Sequence, residues 1–558
     1  MANQENSNLT TGRSAFLALL RDEGVKVLFG NPGTTELPIM HALTEQRGID
    51  YVLALQESIV VAMADGYARA SHQLAACNVH VAPGLGNAIG TLYTAYITGT
   101  PLIITAGQQE QGHGLTEPLL YAPLVPIAQP VVKWAVEVTR IEDLPRILHR
   151  AAKVAMTAPT GPVFISLPGD ILNIEAALDL GSPTRIDTAT RPAPSAIDAL
   201  AEKLIRARNP VMVAGEEIVS SDALNEAAEF ASALGVPVYQ QTIAHGAHFL
   251  SEHPNFIGRL SRSQPAVRQK LDEFDLMVCI GADVLKMSVW DEVDPLPAHT
   301  EVVQIGLRDW EMGKNYAASM ALRADVKETL IALTPRLREL GGDAHARTAA
   351  QRNDALIADN WSSQRARLLE STPSLRAHVP IAPRWLMMNL VEELPDNAIV
   401  VDEGVTTSGA LLDFLPIRDR DAFFGNASGG IGWGIAAAVG IQLAQPQRRV
   451  IAVIGDGSAM YSIQALWSAA KQALPMIFVL ANNGGYRIIK QRLKSFHNNE
   501  EFIGMDFEEP GIDGAGLAIA FGMKGVKAKT GAEFTAAMRD ALAGTEPVLI
   551  EVFVERDV

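Results

Sequence analysis

The sequence is poor in cysteine, in long apolar runs and in positive charge. Cys77 and Cys279 are the two cysteines among 558 residues, and each stands in an apolar run. Two thiols are too few for a disulfide framework or a thiolate metal site, so we expect buried, reduced side chains. No stretch reaches the roughly 18 uninterrupted apolar residues that span a bilayer. Residues 1–11 are polar and lack the apolar centre of a signal peptide, which favours a cytoplasmic location.

Acidic residues outnumber basic ones by 63 to 46, and the formal net charge is −17. This balance argues against a binder of nucleic acid or of anionic membranes, because such binders need a basic face. Apolar residues make up 48% and charged residues 20%, which excludes a disordered or fibrous chain. At about 150 residues per domain, the length predicts three or four domains.

The chain alternates short apolar runs with segments of helical character, which is typical of parallel sheets covered on both faces. We predict an α/β fold with three doubly wound parallel-sheet domains at 1–183, 192–340 and 375–558. A linker rich in Thr and Pro is predicted at 181–195, and a partly helical polar connector at 341–374. The predicted strands are 25–29, 51–55, 75–79, 102–106, 163–167, 210–215, 276–281, 398–401, 449–454, 476–480 and 548–552, and the predicted helices include 58–70 and 197–207.

Two strands of the third block end in residues suited to a metal and a phosphate. The strand at 450–454 runs into Gly-Asp-Gly-Ser at 455–458, and the strand at 477–480 runs toward Asn-Asn-Gly-Gly at 482–485. Parallel strands joined by a helix end at the same edge of a sheet, which brings Asp456, Asn483 and the Gly485 carbonyl together. These oxygens suit Mg²⁺, and the glycines and a helix N-terminus suit a diphosphate.

This spacing resembles the cofactor motif of thiamine diphosphate (ThDP)-dependent enzymes. Strings similar to the pyrimidine-binding domain of that superfamily occur at 30–36, 56–57, 64–68, 80–87 and 105–109. Within the superfamily, the chain most resembles the benzoylformate decarboxylases from Gly30 to Val552, and the acetolactate synthases more distantly. The resemblance implies a pyrimidine-binding first domain, a Rossmann-like middle domain and a diphosphate-binding third domain, with ThDP and Mg²⁺ as cofactors.

The resemblance assigns roles to residues around the cofactor. Glu57 corresponds to the buried acid that shares a proton with the ring nitrogen N1′; by itself it also fits a helix N-terminal glutamate. The Gly429 carbonyl corresponds to the acceptor of the 4′-amino group. Ile431 corresponds to the wedge that bends the cofactor, although the segment also fits a glycine-rich helix entry with a core isoleucine. The other predicted cofactor contacts are Val405, Thr406, Gly457, Ser458 and Tyr486.

Three further residues are predicted to act on the substrate. His80 matches an active-site histidine of the family and is assigned to proton transfer, whereas a lone histidine is usually structural. Thr34 stands where the family has a serine that binds the substrate carboxylate, and it otherwise fits a turn residue. His113, with Glu117 nearby, lies on a loop and is either an acid or base or an exposed surface residue.

One departure from the family leaves the reaction open. Ser288 falls near the expected position of a second catalytic histidine, and His299 lies beyond two prolines. The predicted reaction is non-oxidative decarboxylation of a benzoylformate-like 2-oxo acid to an aldehyde, with carboligation to 2-hydroxyketones. The alternatives are a carboligase or lyase related to acetolactate synthase or 2-hydroxyacyl-CoA lyase, and a scaffold without turnover, which Glu57 and Asp456 argue against.

The resemblance also predicts a homodimer or homotetramer. In the family, the residues corresponding to Glu57 and Asp456 come from different subunits, so the active sites are expected at a dimer interface. Some relatives bind a flavin in the middle domain, and the likeness to benzoylformate decarboxylase argues against one in this chain.

Overall fold

The structure is a computed structural model that describes residues 9–507 and 509–557. It contains three six-stranded sheets flanked by helices, which confirms the predicted α/β class with three parallel-sheet domains. The chain divides into two compact units. One comprises the described residues up to 186, 401–406 and those from 428 onward, and the other comprises 187–400 and 407–427. Residues 1–8 of the polar N-terminal segment lie outside the described residues.

The first domain is built on a sheet with the order β3-β2-β4-β5-β7-β6, in which the neighbouring strands are parallel. Its strands, including the separate antiparallel pair β1–β8, are β1 (Leu9–Thr11), β2 (Val27–Gly30), β3 (Asp50–Leu53), β4 (Ala75–Val79), β5 (Leu102–Gln108), β6 (Trp134–Glu137), β7 (Val163–Pro168) and β8 (Glu175–Ala177). Its α-helices are α1 (Gly12–Asp22), α2 (Leu37–Glu45), α3 (Glu57–Ser71), α4 (Val81–Thr98), α5 (Leu124–Ala128), α6 (Leu144–Met156) and α7 (Gly169–Asn173). Its short 3₁₀ turns are Thr34–Glu36, Gln111–Thr116, Gln129–Val131 and Ile141–Asp143.

The middle domain has a parallel sheet with the order β11-β10-β9-β12-β13-β14. Its strands are β9 (Pro210–Ala214), β10 (Val238–Gln240), β11 (Phe256–Arg259), β12 (Leu276–Ile280), β13 (Glu301–Gly306) and β14 (Met320–Arg323). Its helices are α8 (Pro194–Arg206), α9 (Glu216–Ser220), α10 (Leu224–Leu234), α11 (Gln264–Leu271), α12 (Val326–Leu356) and α13 (Trp361–Ser371), with 3₁₀ turns at Asp309–Glu311 and Thr372–Leu375. The predicted polar connector is thus mostly helical, and α12 is broken at Gly342, where φ is 53°.

The third domain has the strand order β16-β15-β17-β18-β20-β19. Its strands are β15 (Ile399–Glu403), β16 (Phe423–Gly425), β17 (Val450–Gly455), β18 (Ile477–Asn482), β19 (Lys524–Ala528) and β20 (Val548–Phe553). Its helices are α14 (Pro383–Glu393), α15 (Leu411–Phe414), α16 (Trp433–Ala444), α17 (Asp456–Ala459), α18 (Ala465–Lys471), α19 (Arg487–His497), α20 (Gly514–Ala520) and α21 (Gly531–Ala543), with a 3₁₀ turn at Thr407–Ala410.

Both cysteines lie in sheet cores, as expected from their apolar surroundings. Cys77 on β4 and Cys279 on β12 are buried and unbridged. Burial raises the pKa of the Cys279 thiol to about 12, with the charge of Asp283 adding to the effect. No helix within residues 9–507 and 509–557 is both long and apolar enough to cross a membrane.

Helices α3 and α16 pack at unusually close range inside the first unit. A Cβ added to Gly66 would overlap the carbonyl oxygen of Ala437, and one added to Gly440 would overlap that of Met63. In the same contact, the Trp433 indole N–H donates to Asp65 Oδ2 at 2.6 Å, and both side chains are buried. Desolvation raises the pKa of the Asp65 carboxyl. Glycine at 66 and 440 is therefore what permits this helix pair to form.

We expect Gly440→Ala to destabilise the protein by about 1–3 kcal/mol, because the methyl group has no space against the α3 backbone. The measurement is the denaturant midpoint of unfolding. Gly544→Ala is the control, since its added methyl would meet only ordinary contacts at 3.7 Å and its φ is −88°. Equal midpoints for the two variants would contradict this account of the helix contact.

Candidate active site

Strands β17 and β18 end side by side, with Gly455 opposite Ala481 in a parallel register. Asp456 follows β17 at once and is 3% exposed. Its Oδ2 accepts from the Gly484 N–H at 2.8 Å, and its Oδ1 accepts from the Gly457 N–H at 2.9 Å. The acid that ends one strand is thus bonded to the loop that follows the next.

Asn483 and Gly485 occupy that same loop. The Asn483 side chain is largely buried, and its Oδ1 accepts from the Gly485 N–H at 3.1 Å. Burial raises the pKa of the Asp456 carboxyl to about 6, although backbone N–H groups donate to it. A buried carboxylate held by N–H dipoles is stabilised further by a cation. The oxygens of Asp456, Asn483 and Gly485 are therefore a donor set that fits Mg²⁺.

Two glycines and a serine flank this acid. A Cβ added to Gly455 would make only ordinary contacts, with its nearest neighbours at 3.8 Å. Ser458 is buried on α17. Gly457 is required on the other side, because a Cβ there would lie 2.7 Å from the Tyr486 ring, which packs edge-on against Phe507 with ring centroids 4.7 Å apart.

The loop before α16 exposes the residues predicted to face the pyrimidine ring. Gly429 is exposed with φ of 80°, and no heavy atom would lie within 4 Å of an added Cβ. Ile431 is half-buried. The buried Glu403 holds the end of this loop, since its carboxylate accepts from the N–H groups of Gly432, at 2.6 Å, and Gly434. The segment is thus anchored at its Gly432 end, whereas Gly429 is accessible.

Glu57 is the first residue of α3 and is 8% exposed. Gln56 caps the helix, with its side-chain oxygen accepting from the Ser58 N–H at 2.6 Å. The Glu57 carboxylate accepts from two carboxamides, Asn31 at 3.2 Å and Asn87 at 3.0 Å. The carboxylate is therefore oriented by Asn31, directly after β2, and by Asn87 on α4. Glu57 also stands in the first turn of α3, as the helix-terminal interpretation expects.

His80 is held by Glu36, a residue that the sequence analysis did not single out. Glu36 is 1% exposed, and its Oε2 lies 2.6 Å from His80 Nδ1. The same carboxylate accepts from the Gly33 N–H, the Gly107 N–H and the Thr35 hydroxyl at 2.7–2.9 Å. With Nδ1 engaged in this way, the opposite nitrogen, Nε2, is the one left to act on a ligand.

Thr34 and His113 line one cleft of about 660 Å³ in the first domain, together with Gln108. His113 is exposed on a 3₁₀ turn, and its Nδ1 lies 3.2 Å from the Thr116 hydroxyl. The turn ends at Glu117, whose φ is 49°. The cleft brings a hydroxyl and an imidazole together on an open surface of the domain.

Two valines near these residues have left-handed backbones. Val81, directly after His80, has a φ of 40°, and Val405, in the loop predicted to contact diphosphate ahead of Thr406, has a φ of 52°. Such conformations cost a β-branched residue on the order of 1–3 kcal/mol and cluster at functional sites. The sequence pattern does not predict these strained backbone conformations.

The two residues considered for the second histidine position lie in the other unit and are exposed. Ser288 follows β12 in a loop, and His299 Nε2 lies 2.9 Å from the Asp272 carbonyl oxygen.

Three family models match the chain. They describe the N-terminal TPP binding domain, the central domain and the C-terminal TPP binding domain of thiamine pyrophosphate enzymes, over residues 10–118, 197–333 and 405–552. The chain belongs to the thiamine pyrophosphate enzymes, which confirms the resemblance of the motifs at 455–458 and 482–485.

Comparison with individual members shows which enzymes of this family the chain resembles. The chain is 34% identical to benzoylformate decarboxylase from Pseudomonas aeruginosa over 98% of this chain and 99% of the relative. It is 25% identical to the acetolactate synthase large subunit of Haemophilus influenzae over 96% of this chain and 92% of the relative. Among solved structures, a thiamine diphosphate-dependent 4-hydroxybenzoylformate decarboxylase from Rhodococcus jostii RHA1 is similar with a TM-score of 0.87 and 30% identity, over 98% of this chain and 100% of that chain.

We expect Glu36→Gln to lower the free energy of unfolding by roughly 1.5–3 kcal/mol, because a charge-assisted bond to His80 and bonds from buried N–H groups are weakened. Denaturant unfolding measures the change. Glu45→Gln is the matched control, since Glu45 is exposed and pairs only across one helical turn with His41. If the two variants unfold at the same denaturant concentration, Glu36 does not carry the network described here.

Proposed function

We propose that this chain is a ThDP- and Mg²⁺-dependent decarboxylase of a 2-oxo acid with a benzoylformate-like side chain. The products are CO₂ and an aldehyde, with carboligation to 2-hydroxyketones as a side activity. The observation that carries the proposal is the buried Asp456 carboxylate at a shared strand edge, bonded to the loop that carries Asn483 and Gly485, in a member of this family. The 34% identity to a benzoylformate decarboxylase over nearly the whole chain supports the substrate class.

Asp456, Asn483 and the Gly485 carbonyl are the proposed Mg²⁺ ligands. Val405, Thr406, Gly457, Ser458 and Tyr486 are the proposed contacts to the diphosphate end of the cofactor, and Gly429 and Ile431 are those to its pyrimidine. ThDP, when bound, would supply a cationic ring that accepts the electron pair left on the carbonyl carbon when CO₂ departs.

Glu57 is proposed to exchange a proton with the pyrimidine ring. Its carboxylate is oriented by Asn31 and Asn87, so a ring N–H meets an acceptor that is already in place. His80 is proposed to deliver the proton that replaces CO₂ on the carbonyl carbon, with Glu36 fixing its ring. Thr34 is proposed to donate its hydroxyl to the substrate carboxylate, and His113 to act as acid or base from the same cleft.

The active sites are proposed to form between subunits of a homodimer or homotetramer in the cytoplasm. Support comes from α4, which carries Asn87 beside Glu57 and leaves Tyr93 and Tyr96 more than 40% exposed. Aromatic side chains exposed on a helix are typical of a surface that a second protein covers.

The test of the proposed function is CO₂ release from a panel of aromatic and aliphatic 2-oxo acids, with ThDP and Mg²⁺ added. Benzoylformate and ring-substituted analogues are expected to be turned over more efficiently than pyruvate. Preferred use of pyruvate, with an acetohydroxy acid as product, would instead favour the second candidate, an acetolactate synthase-like carboligase. Ser288 in place of the family's second histidine is the observation that keeps this candidate open.

We expect Glu57→Gln to reduce kcat by 10²-fold or more, because the general acid–base group is lost, while ThDP affinity changes little. Steady-state kinetics and a separate ThDP-binding titration measure the two effects. Glu142→Gln, at an exposed carboxylate of the same domain, is the control. Full activity in Glu57→Gln would refute the proton-transfer role.

A further inference from the structure

A cluster of one carboxylate and two imidazoles, the Glu216 cluster, lies in the middle domain and consists of Glu216, His245 and His248. Glu216 is the first residue of α9, directly after β9 and Gly215, and both histidines follow β10. Because β9 and β10 are neighbouring parallel strands, the residues after them meet at one edge of the sheet.

The three side chains converge on one small volume. Glu216 Oε2 lies 3.3 Å from His245 Nε2 and 3.2 Å from His248 Nε2, and the ligand atoms all lie within 4.8 Å of one another. A four-coordinate metal with bonds of about 2.0–2.1 Å separates its ligands by roughly 3.3–3.4 Å. Charge-assisted N–H···O bonds are shorter, at about 2.7–2.9 Å. The distances from Glu216 Oε2 to the two Nε2 atoms therefore match the ligand-to-ligand distance around a tetrahedral metal ion better than the length of a strong hydrogen bond.

The orientation of the His245 ring also fits a metal ligand. Its Nδ1 lies 3.0 Å from the Ile243 carbonyl oxygen, which can only accept, so Nδ1 carries a proton. In this tautomer Nε2 carries the lone pair that a metal ligand needs, and it faces the Glu216 carboxylate at 3.3 Å. A histidine whose second nitrogen donates to a backbone carbonyl is the usual arrangement for a metal ligand.

The backbone holds the cluster in place. A Cβ added to Gly246 would lie 2.9 Å from Glu216 Oε2 and 3.0 Å from His248 Nε2, so a larger residue there would displace these two side chains. The His245 carbonyl accepts from the Gly425 N–H at 2.9 Å, and the Gly246 carbonyl accepts from the His248 N–H at 3.0 Å. Backbone hydrogen bonds thus hold the segment that carries both histidines.

We propose that the Glu216 cluster binds a structural Zn²⁺ ion. Two imidazole nitrogens with one carboxylate oxygen form a ligand set that suits Zn²⁺, whereas Mg²⁺ prefers oxygen ligands throughout. The two histidine side chains are 7% and 0% exposed, so the site is enclosed, whereas the 17% exposure of Glu216 leaves a side for a water ligand. The ion cross-links the start of α9 to the segment after β10 and stabilises the middle domain independently of ThDP chemistry.

The test uses the untagged full-length protein, stripped with a chelator and titrated with Co²⁺ as a spectroscopic substitute for Zn²⁺. We expect one equivalent to bind with the intense visible absorption of four-coordinate Co²⁺, and Zn²⁺ to abolish the bands by displacement. The thermal midpoint is expected to rise with free Zn²⁺ concentration. Binding of less than a tenth of an equivalent of Co²⁺, or the weak absorption bands of six-coordinate Co²⁺ only, would overturn the proposal. The cluster would then be a group of hydrogen-bonded ion pairs without a metal ion.

Substitutions test whether the Co²⁺ absorption bands arise from the Glu216 cluster. We expect Glu216→Gln and His248→Ala to lose the Co²⁺ bands and the Zn²⁺-dependent rise in midpoint. Glu217→Gln is the matched control, because the adjacent carboxylate accepts from the Leu307 N–H instead and its variant is expected to keep the bands. Asp456→Asn is expected to keep them as well, which separates this site from the proposed Mg²⁺ site. Bands that persist in folded Glu216→Gln and His248→Ala would refute the assignment, and if these variants do not fold, the titration of the unaltered protein decides.

Discussion

The close crossing of α3 and α16 is the contact on which the arrangement of the first unit depends. Helix α3 begins at Glu57, and α16 begins directly after the segment that contains Gly429 and Ile431. Gly66 and Gly440 let the two backbones approach closely, and Asp65 bonds Trp433, the first residue of α16, in the same helix pair. The starting points of both helices, which carry the proposed pyrimidine contacts, are thereby fixed within one chain.

Three buried carboxylates of this unit are stabilised in three different ways, and the differences match their proposed tasks. Glu57 receives two neutral amide donors and keeps a defined orientation. Glu36 receives an imidazole and backbone N–H groups, and so acts through His80. Asp456 is held by backbone N–H groups, and burial raises its pKa, which is the environment in which a bound cation contributes most. The same carboxylate chemistry is thus proposed to serve as proton carrier, positioning group and metal ligand, according to the neighbours of each residue.

The sequence predicted the sheets well where strands are long and apolar, as at Val450–Gly455 and Val163–Pro168. It missed short strands at sheet edges, such as β16 and β14, because three buried residues, or four of alternating burial, are too few to establish a period. That Asp456 and the Asn483 loop lie close together could be predicted from parallel topology alone. The ends of two neighbouring parallel strands determine this proximity, so the prediction required no knowledge of side-chain positions.

Pairings across long stretches of chain could not be predicted in this way. Glu36 and His80 are 44 positions apart, and their contact depends on the turn after β2 meeting the end of β4. The Glu216 cluster has only the spacing of His245 and His248 after an apolar strand as a sequence signal. Glu216 itself is one of two adjacent acids that begin a short helix, and nothing in the sequence distinguishes it from Glu217.

The left-handed backbones of Val81 and Val405 bear on how this enzyme can be engineered. Glycine or asparagine at either position would relieve the steric conflict of a branched side chain, and a screen for thermal tolerance would select such replacements. Each would also widen the conformational range of a loop next to His80 or Thr406. At these two positions, a substitution that raises thermal stability is therefore expected also to loosen the backbone beside a residue proposed to act in the site.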